Sequence, residues 1–232
     1  MIYTEDYLDN GIRVLKKYLI PSLENQSCKD FTWILMLGNK VNMSNIKPLI
    51  DFNTSFDIKI IYKKDIKHYI TNISKDLDIL ITTRIDFDDV IYYNAVNDVR
   101  KEIDLNKPIF LHGYNRGVCY LETENKYYEY YNDFKGKGVT SIFVTLILNL
   151  KKVNETISIY ELGEHTFVKR TLLKKYQSYG IKELNYIPAF FDDTGQKFIY
   201  VRQIYSGAIK NIRRLKRGKK PIDFNLSIIY GK

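Results

Sequence analysis

The stretch that decides the fold is Leu80–Val90, LITTRIDFDDV, in which an apolar half is followed directly by an acidic half. The apolar residues predict a buried strand over Asp78–Thr83, so the acidic residues fall where that strand leaves its sheet. In open α/β sheets, ligands bind in the crevice at the carboxyl ends of the strands. On extended backbone, Asp86 and Asp88 would face the same side. Two such carboxylates predict a site for Mg²⁺ or Mn²⁺, completed by the phosphate oxygens of a nucleoside diphosphate and by water.

The same acidic cluster has a structural alternative. Asp86, Asp88 and Asp89 could form a solvated turn, with Asp89 as the N-cap of a helix over Val90–Ile103. The carboxylates would then serve the fold alone. Two features favour a binding role, namely the apolar strand before the cluster and the guanidinium of Arg84 beside it.

Upstream of this strand the sequence alternates between helical and extended patterns. Residues Glu5–Leu19 carry apolar side chains at helical spacing and predict an amphipathic helix, which Pro21 and the polar run Glu24–Lys29 should end. The following elements are, in chain order, the strand Phe31–Leu37, a helix over Ser44–Phe52, the strand Asp57–Tyr62 and a helix over Ile66–Lys75. Such alternation is typical of parallel sheets. We therefore expect an α/β fold with a Rossmann-like mixed, mainly parallel sheet flanked by helices.

The pattern changes after Pro108. The runs Ile109–His112 and Val118–Glu122 flank a Gly113–Gly117 turn and predict a hairpin. The apolar run Ile142–Leu150 is too short for the ~20 residues of a membrane-spanning helix, so it predicts a buried strand or helix. Because no linker or repeat divides the chain, residues 1–232 are expected to form one domain.

Composition excludes several classes of protein. With 232 residues, of which 45% are hydrophobic and 27% charged, the chain has a globular rather than a disordered composition. Two cysteines without a CxxC pair, and three histidines, exclude a disulfide framework and a Cys/His zinc module. The acidic N-terminus, MIYTEDYLDN, does not resemble a signal peptide, so a cytoplasmic protein is expected.

The net charge of +9 is concentrated in one segment. Residues 194–222 hold nine Lys and Arg and no Asp or Glu, and removing them leaves 27 basic against 27 acidic residues. A uniformly basic surface for nucleic acid is therefore disfavoured. Lys210 and Arg213 begin a cationic stripe at helical spacing. The stripe could be a solvated face, bind nucleic acid, hold a diphosphate, or contact an anionic membrane or acidic acceptor, and the last two uses are favoured.

Two sequence motifs, taken in their order along the chain, indicate a particular protein family. The run IPSLENQSCKDFTWIL, which follows Arg13, and the run TTRIDFDDVI are similar to motifs of the putative rhamnosyltransferase family. The matching positions are Pro21, Ser22, Leu23, Gln26, Phe31, Trp33, Thr83, Arg84, Asp86, Asp88 and Asp89. A third segment, Phe198–Asn211, resembles a degraded form of the family's closing motif, with Tyr205 where the family has His.

This resemblance implies a GT-A-like glycosyltransferase that moves a sugar from a nucleotide diphosphate donor, of the deoxythymidine or uridine type, to a glycan or other hydroxyl acceptor. It implies that Asp88 ligates Mn²⁺ or Mg²⁺, that Asp86 is shared between the metal and the ribose, and that Arg84 lies near the nucleotide. His165 stands where GT-A enzymes often place a further metal ligand. A structural or surface histidine is the alternative for that residue.

Sugar transfer with inversion needs a general base for the acceptor hydroxyl. Asp193 in FFDDTG is the favoured candidate over Glu161, Glu164 and Asp192, and the alternative is that the two aspartates only form a turn. Transfer with retention would need no such base.

The resemblance also raises a question about the start of the fold. GT-A domains usually open with a strand, and Met1–Thr4 is too short to supply that strand and its loop. Either the chain continues upstream or the sheet lacks its usual first strand. A relative that binds a nucleotide sugar or glycan without turnover is therefore the alternative function.

Overall fold

The computed structural model of the chain describes residues 5–46, 51–131, 143–163, 168–177, 189–192, 195–202 and 219–231. The ten strands in these ranges are β1 (Thr32–Leu37), β2 (Asp57–Tyr62), β3 (Ile79–Thr83), β4 (Asp89–Ile91), β5 (Ile109–Tyr114), β6 (Arg116–Leu121), β7 (Lys126–Tyr131), β8 (Thr145–Asn149), β9 (Ala189–Asp192) and β10 (Phe198–Arg202). Together with the helices they form a mixed α/β structure. The three strands predicted before residue 84 are confirmed to within one residue at each end.

The strands form three sheets. Strands β1 and β2 are a parallel pair, the second sheet has the order β3-β8-β5-β9, and the third has the order β4-β10-β6-β7. We call the last two the β3 sheet and the β4 sheet. Of the seven described pairings between these strands, three are parallel and four antiparallel. The prediction of a mainly parallel sheet is therefore wrong, because β8 inserts antiparallel between β3 and β5.

Three connections between the two larger sheets lie at one edge. Strands β3, β5 and β9 share one direction, because β3 and β5 are both antiparallel to β8 and β9 is parallel to β5. Each is followed in the chain by a strand of the β4 sheet, namely β4, β6 and β10. The chain thus crosses from one sheet to the other three times at the carboxyl ends of the parallel strands.

The hairpin predicted around Gly113–Gly117 is wrong. Strands β5 and β6 lie in different sheets, with only Asn115 between them. The hairpin in this region joins β6 to β7 and turns through Asn125, which has a φ of 51°. Gly117 serves packing instead, because a Cβ there would lie 2.4 Å from the Phe198 ring. Gly117 therefore allows the Phe198 ring to approach the backbone and is not a turn residue.

The helical segments are α1 (Glu5–Val14), a π-helical segment (Leu15–Leu19), α2 (Ile20–Glu24), α3 (Met43–Ile46), a 3₁₀ turn (Lys63–Asp65), α4 (Ile66–Ile73), α5 (Ala95–Lys101), a second 3₁₀ turn (Ile159–Leu162), α6 (Val168–Gln177) and α7 (Ser227–Tyr230). Of the two stop signals predicted for the first helix, Pro21 does not end it, and the helical path continues to Glu24, where the polar run Glu24–Lys29 begins. Pro21 lies in the first turn of α2, where a residue without an N–H is tolerated. The helix predicted over Ser44–Phe52 is seen only as α3, and residues 47–50 lie outside the described part.

The helix predicted over Val90–Ile103 is shorter, and Asp89 does not cap it. Residues Asp89–Ile91 instead pair antiparallel with β10, and α5 begins at Ala95. All three residues of β4 are buried. Pairing and burial within the β4 sheet therefore override the local helix signal.

The core covers both faces of the β3 sheet. Leu80, Leu111 and Leu146 pack in one cluster with Ile70 of α4 and Leu172 of α6. On the other face, Val99 of α5 packs with Phe110 and Ile147. All five residues of β8 are buried, which confirms a buried strand within the apolar run Ile142–Leu150.

A charged cluster joins the first helix to the end of β6. Arg13 donates hydrogen bonds of 2.7 and 2.8 Å to the two carboxylate oxygens of Glu122, and Lys17 and Tyr18 donate to Oε1 at 3.0 and 2.9 Å. The hydrogen bonds from Arg13, with those from Lys17 and Tyr18, lower the pKa of Glu122 to about 2, against the opposing effect of burial. Burial is the largest cause that raises the pKa of Tyr18, to about 12, so its hydroxyl remains a donor.

We predict that Glu122→Gln lowers the free energy of unfolding by about 1 kcal/mol at pH 7, discounted because Arg13 and Lys17 are half exposed. The pKa of the folded state lies below the ordinary value of 4.5, so the carboxylate stabilises the fold above that pH. Its contribution is lost as the pH falls from 4.5 to about 2. Urea unfolding at several pH values measures this. Glu129→Gln, at the more exposed Arg116 pair, is the control and should have a smaller effect.

We also predict that Gly117→Ala destabilises the protein by about 1–3 kcal/mol, because the new methyl group overlaps the fully buried Phe198 ring. Thermal unfolding should show a lower Tm. Gly11→Ala is the control, since a Cβ there meets nothing within 4 Å and alanine favours α1. An unchanged Tm for Gly117→Ala would contradict this packing.

Candidate functional site

The loop Arg84–Asp88, which we call the carboxylate loop, joins β3 to β4 at the edge where the chain crosses between sheets. Its backbone turns back on itself. The Asp89 N–H donates to the Asp86 carbonyl oxygen at 3.2 Å, and the Asp86 N–H donates to Asp89 Oδ2 at 3.1 Å. The expectation that Asp86 and Asp88 lie on extended backbone is therefore wrong, because this pair of hydrogen bonds closes a turn.

The three carboxylates of the cluster differ in exposure. The Asp86 side chain is 38% exposed, whereas Asp88 is 7% exposed and Asp89 is fully buried. Asp89 uses one carboxylate oxygen to hold the loop, and the Asp88 carbonyl oxygen accepts the Val201 N–H at 2.9 Å. Asp86 is thus the carboxylate of this loop that is most open to a ligand, and its neighbours fix its backbone.

Arg84 links the carboxylate loop to the segment after the second 3₁₀ turn. Its Nε lies 3.4 Å from Asp86 Oδ1, and its Nη1 donates to the Gly163 carbonyl oxygen at 3.2 Å. The side chain is 29% exposed. A guanidinium in this position orients Asp86 and retains surface toward solvent.

Hydroxyl groups at the end of β3 hold the surrounding elements in place. The Thr82 hydroxyl accepts the Ile159 N–H at 2.9 Å, and the hydroxyl oxygens of Thr83 and Thr145 are hydrogen-bonded at 2.7 Å. The 3₁₀ turn begins with a capping box, in which the Glu161 carboxylate accepts from the N–H and hydroxyl of Ser158. Glu161, one of the alternative bases, is therefore engaged in capping.

The ends of β5 and β9 lie on the same edge as the carboxylate loop. Thr83, Thr145, His112 and Phe190 are in register across the β3 sheet, so β9 lies three strands, or about 14 Å, from β3. His112 is buried, and its ring makes an edge contact with Tyr114 at 5.1 Å between centroids. A histidine without an acidic neighbour in the sequence is expected to have a structural role, and the packing of His112 agrees with that role.

Several predicted site residues lie outside the described part of the chain. These are His165, Asp193, Lys210 and Arg213. Of the three predicted site residues that the structure describes, Arg84 and Asp86 are in contact, and the site roles of all seven residues stay predictions. Asp192 is the last residue of β9, at the third crossing between the sheets.

Two lysines of the basic segment 194–222 have contacts in the described part of the chain. Lys197 Nζ lies 4.0 Å from the centre of the Tyr92 ring and 4.0 Å from Asp98 Oδ2. Lys219 Nζ donates to the Glu129 carbonyl oxygen at 2.8 Å. These two cations therefore support the β4 sheet, and the stripe that begins at Lys210 lies outside the described residues.

The carboxylate loop could hold a divalent metal only if a bound molecule supplied some of the metal's ligands. Within the described ranges there is no group of three or more His, Cys, Asp or Glu that could hold a metal. The two ligands predicted from the sequence, Asp86 and Asp88, would supply two carboxylates. This number suits Mg²⁺ or Mn²⁺, which binds protein through one or two carboxylates and takes its remaining ligands from phosphate and water.

Sequence reasoning did not identify the positioning residues of this site. Thr82 and Gly163 each act through one hydrogen bond to a distant segment, namely from Ile159 N–H and from Arg84 Nη1, whereas Ser158 forms the local capping box with Glu161. Only the motif Ser158-x-x-Glu161 carried a local signal, because it has the spacing of a capping box. The other contacts depend on how the 3₁₀ turn packs against the end of β3.

None of the helices in the described part of the chain has both the length and the apolar character needed to cross a membrane.

Two solved structures resemble the fold distantly. HddC from Yersinia pseudotuberculosis is 17% identical with a TM-score of 0.34, and the match covers 61% of this chain and 67% of that one. The inositol-1-phosphate CTP transferase from T. maritima is 14% identical with a TM-score of 0.37, and the match covers 88% of this chain and 84% of that one. These similarities are too low to carry a functional argument. No curated protein matches the chain.

The family comparison is more informative. The family described as "Putative rhamnosyl transferase" matches residues 1–145, which is more than half of the 232 residues. The matched region includes both motifs that suggested the resemblance, the run after Arg13 and the carboxylate loop, and excludes Phe198–Asn211. The chain therefore belongs to this rhamnosyl transferase family.

Proposed function

We propose that the protein is a glycosyltransferase that moves a sugar from a nucleoside diphosphate donor to a glycan or other hydroxyl acceptor. The observation that carries this proposal is the carboxylate loop, which presents Asp86 and Arg84 at the carboxyl end of β3. This edge of an α/β sheet is where ligands generally bind. Membership of the rhamnosyl transferase family supports the reaction class.

In this proposal Asp86 and Asp88 hold a divalent cation together with the donor's diphosphate. When bound, the cation would neutralise charge on the leaving diphosphate. Arg84 keeps the Asp86 carboxylate oriented through its Nε contact and is itself held by the Gly163 carbonyl oxygen. Gly163 precedes His165 by two residues in the sequence, which supports His165 as a further ligand.

The acceptor half of the site is proposed to lie toward β9. Asp193 follows the last residue of that strand and is the proposed base for the acceptor hydroxyl in an inverting reaction. Lys210 and Arg213 are proposed to bind the diphosphate. The remaining charge of the segment 194–222 would favour an anionic acceptor or the cytoplasmic face of a membrane.

A second candidate is a relative that binds a nucleotide sugar or glycan without turnover. The contact of 3.4 Å between Arg84 Nε and Asp86 Oδ1 favours it, because an ion pair already occupies the most exposed carboxylate. In such a protein the nucleotide would interact with Arg84 rather than with a metal.

We predict that Asp86→Asn lowers metal-dependent release of nucleoside diphosphate from deoxythymidine diphosphate rhamnose by about 100-fold or more, because a charged ligand at the diphosphate is lost. Asp88→Asn should have a similar effect, with the Tm measured because this residue is buried. Asp78→Asn is the matched control. Asp78 lies just before the first residue of β3, at the opposite end of the strand from the carboxylate loop, and pairs with Lys151 at the surface. Loss of its charge should therefore leave turnover unchanged. Full turnover in both loop variants would contradict the metal role.

We further predict that uridine or deoxythymidine diphosphate binds at least about tenfold more tightly with Mn²⁺ than without it, since two protein carboxylates need the diphosphate to complete the coordination shell. Calorimetric titration with and without Mn²⁺ measures this difference. Binding that is independent of metal, with no release of diphosphate from the nucleotide sugars, would support the non-catalytic candidate instead.

A further inference from the structure

Residues 219–231 cross one face of the β4 sheet, and we call them the strap. The Ile222 N–H donates to the Tyr127 carbonyl oxygen of β7 at 2.9 Å, and the same two residues form an antiparallel bridge. Further along the strap, the Ile229 carbonyl oxygen accepts the Tyr93 N–H at 2.7 Å, two residues after β4. Strands β7 and β4 are the outer strands of this sheet in the described part of the chain. The strap therefore connects one outer strand with the other.

The apolar anchor of the strap is Ile229. Its side chain is fully buried and packs in one cluster with side chains of β4, β10 and β6, namely Val90, Ile199, Val201 and Val118. Val90, Ile199 and Val118 are in register across these three adjacent strands, so they lie on the same face of the sheet. Burial of an isoleucine against this row stabilises the contact between the strap and the sheet.

The backbone of the strap approaches the end of β4 closely at Gly231. This residue has a φ of 67°, and a Cβ there would lie 2.7 Å from the ring of Tyr93. A glycine is required at such a position for both reasons. Two successive contacts, the hydrogen bond from Tyr93 to Ile229 and the packing of the Tyr93 ring on Gly231, therefore fix the strap to the residues that follow β4.

Strand β4 depends in part on these contacts. It has three residues and pairs with β10 alone among the described strands. A short outer strand opens easily, because few hydrogen bonds hold it. The strap adds one backbone hydrogen bond and the contact between Ile229 and Val90 to this support.

The carboxylate loop is connected directly to this strand. Val90 follows Asp89, whose carboxylate accepts the Asp86 N–H and whose N–H donates to the Asp86 carbonyl oxygen. These two hydrogen bonds close the turn that presents the Asp86 side chain. A shift of β4 would therefore alter the turn and displace that carboxylate.

We propose that Ile229 is a positioning residue for the carboxylate loop, and that it acts through Val90 and β4 on the turn between Asp86 and Asp89. Where the proposal concerns metal binding, it rests on the proposed function. The side chains of a binding site must be held within about 0.5 Å of their productive positions, so a loose turn should weaken a metal more than a flexible organic ligand.

Amide hydrogen exchange on the full chain tests the positioning in the absence of any ligand. Ile229→Ala removes most of the anchor and should speed exchange at the Asp86 and Asp89 amides about tenfold, because β4 opens more often. Ile229→Val keeps the branched side chain and should stay within about twofold of the unaltered protein. Gly231→Ala disturbs the same contact by overlap with the Tyr93 ring, without leaving a cavity, and should also speed exchange.

Ile109→Ala is the matched control. Ile109 is an isoleucine with 1% exposure at the start of β5, at the opposite end of that strand from the crossing between sheets. Its truncation should lower the Tm by a similar amount and leave exchange at Asp86 and Asp89 unchanged. Equal changes in loop exchange in the two alanine variants would reflect global stability alone and would overturn the proposal. An Ile229→Ala protein with a lower Tm and an unchanged loop would overturn it as well.

Calorimetric titration with uridine diphosphate connects the anchor with the metal. In Ile229→Ala the tightening of nucleotide binding by Mn²⁺ should fall from about tenfold to about twofold or less, because the carboxylates no longer keep one geometry. Full tightening in this variant, with faster loop exchange, would overturn the role of Ile229 toward the metal. An unaltered protein without any tightening would contradict the proposed function instead, and the exchange experiment would still decide the positioning.

Discussion

The candidate site depends on one constraint, which is that three parallel strands leave the β3 sheet at the same edge and continue into the β4 sheet. The carboxylate loop is the first of these crossings, Asn115 is the second, and the segment after Asp192 is the third. Because both ends of each crossing are paired in a sheet, the position of the loop follows from strand pairing. The β4–β10 pairing and the hydrogen bond from Val201 N to the Asp88 carbonyl oxygen hold the far end of the carboxylate loop.

Within this loop, Asp89 has a structural role, and Asp86 is the residue for which we propose a chemical one. A buried carboxylate needs hydrogen bonds to offset its lost hydration, and Asp89 obtains one from the Asp86 N–H. That bond closes the turn and directs the Asp86 side chain toward solvent, where Arg84 contacts it. The structural interpretation and the proposed functional one are therefore compatible, because they concern different aspartates of the cluster.

The same edge pairing applies to the cavity of about 610 Å³ between β1 and β3. Where β8 fills the space between β3 and β5, the backbone groups of all three strands are satisfied and the core is closed. Between β1 and β3 the helices and the apolar layer are present, but within the described residues no strand lies between the two edges. The cavity therefore lies where the edges of two described strands do not pair with each other.

The sequence by itself determined the mixed α/β class, the early strands, the family and the acidic cluster at the end of β3. Each of these depends on local patterns, such as apolar runs of strand length or a motif with a defined order. Only the tertiary structure decided that Asp89 belongs to a strand and that β5 and β6 separate into different sheets. Those outcomes depend on burial and pairing with residues far away in the chain, such as the contact of Phe198 with Gly117, and no local spacing encodes them.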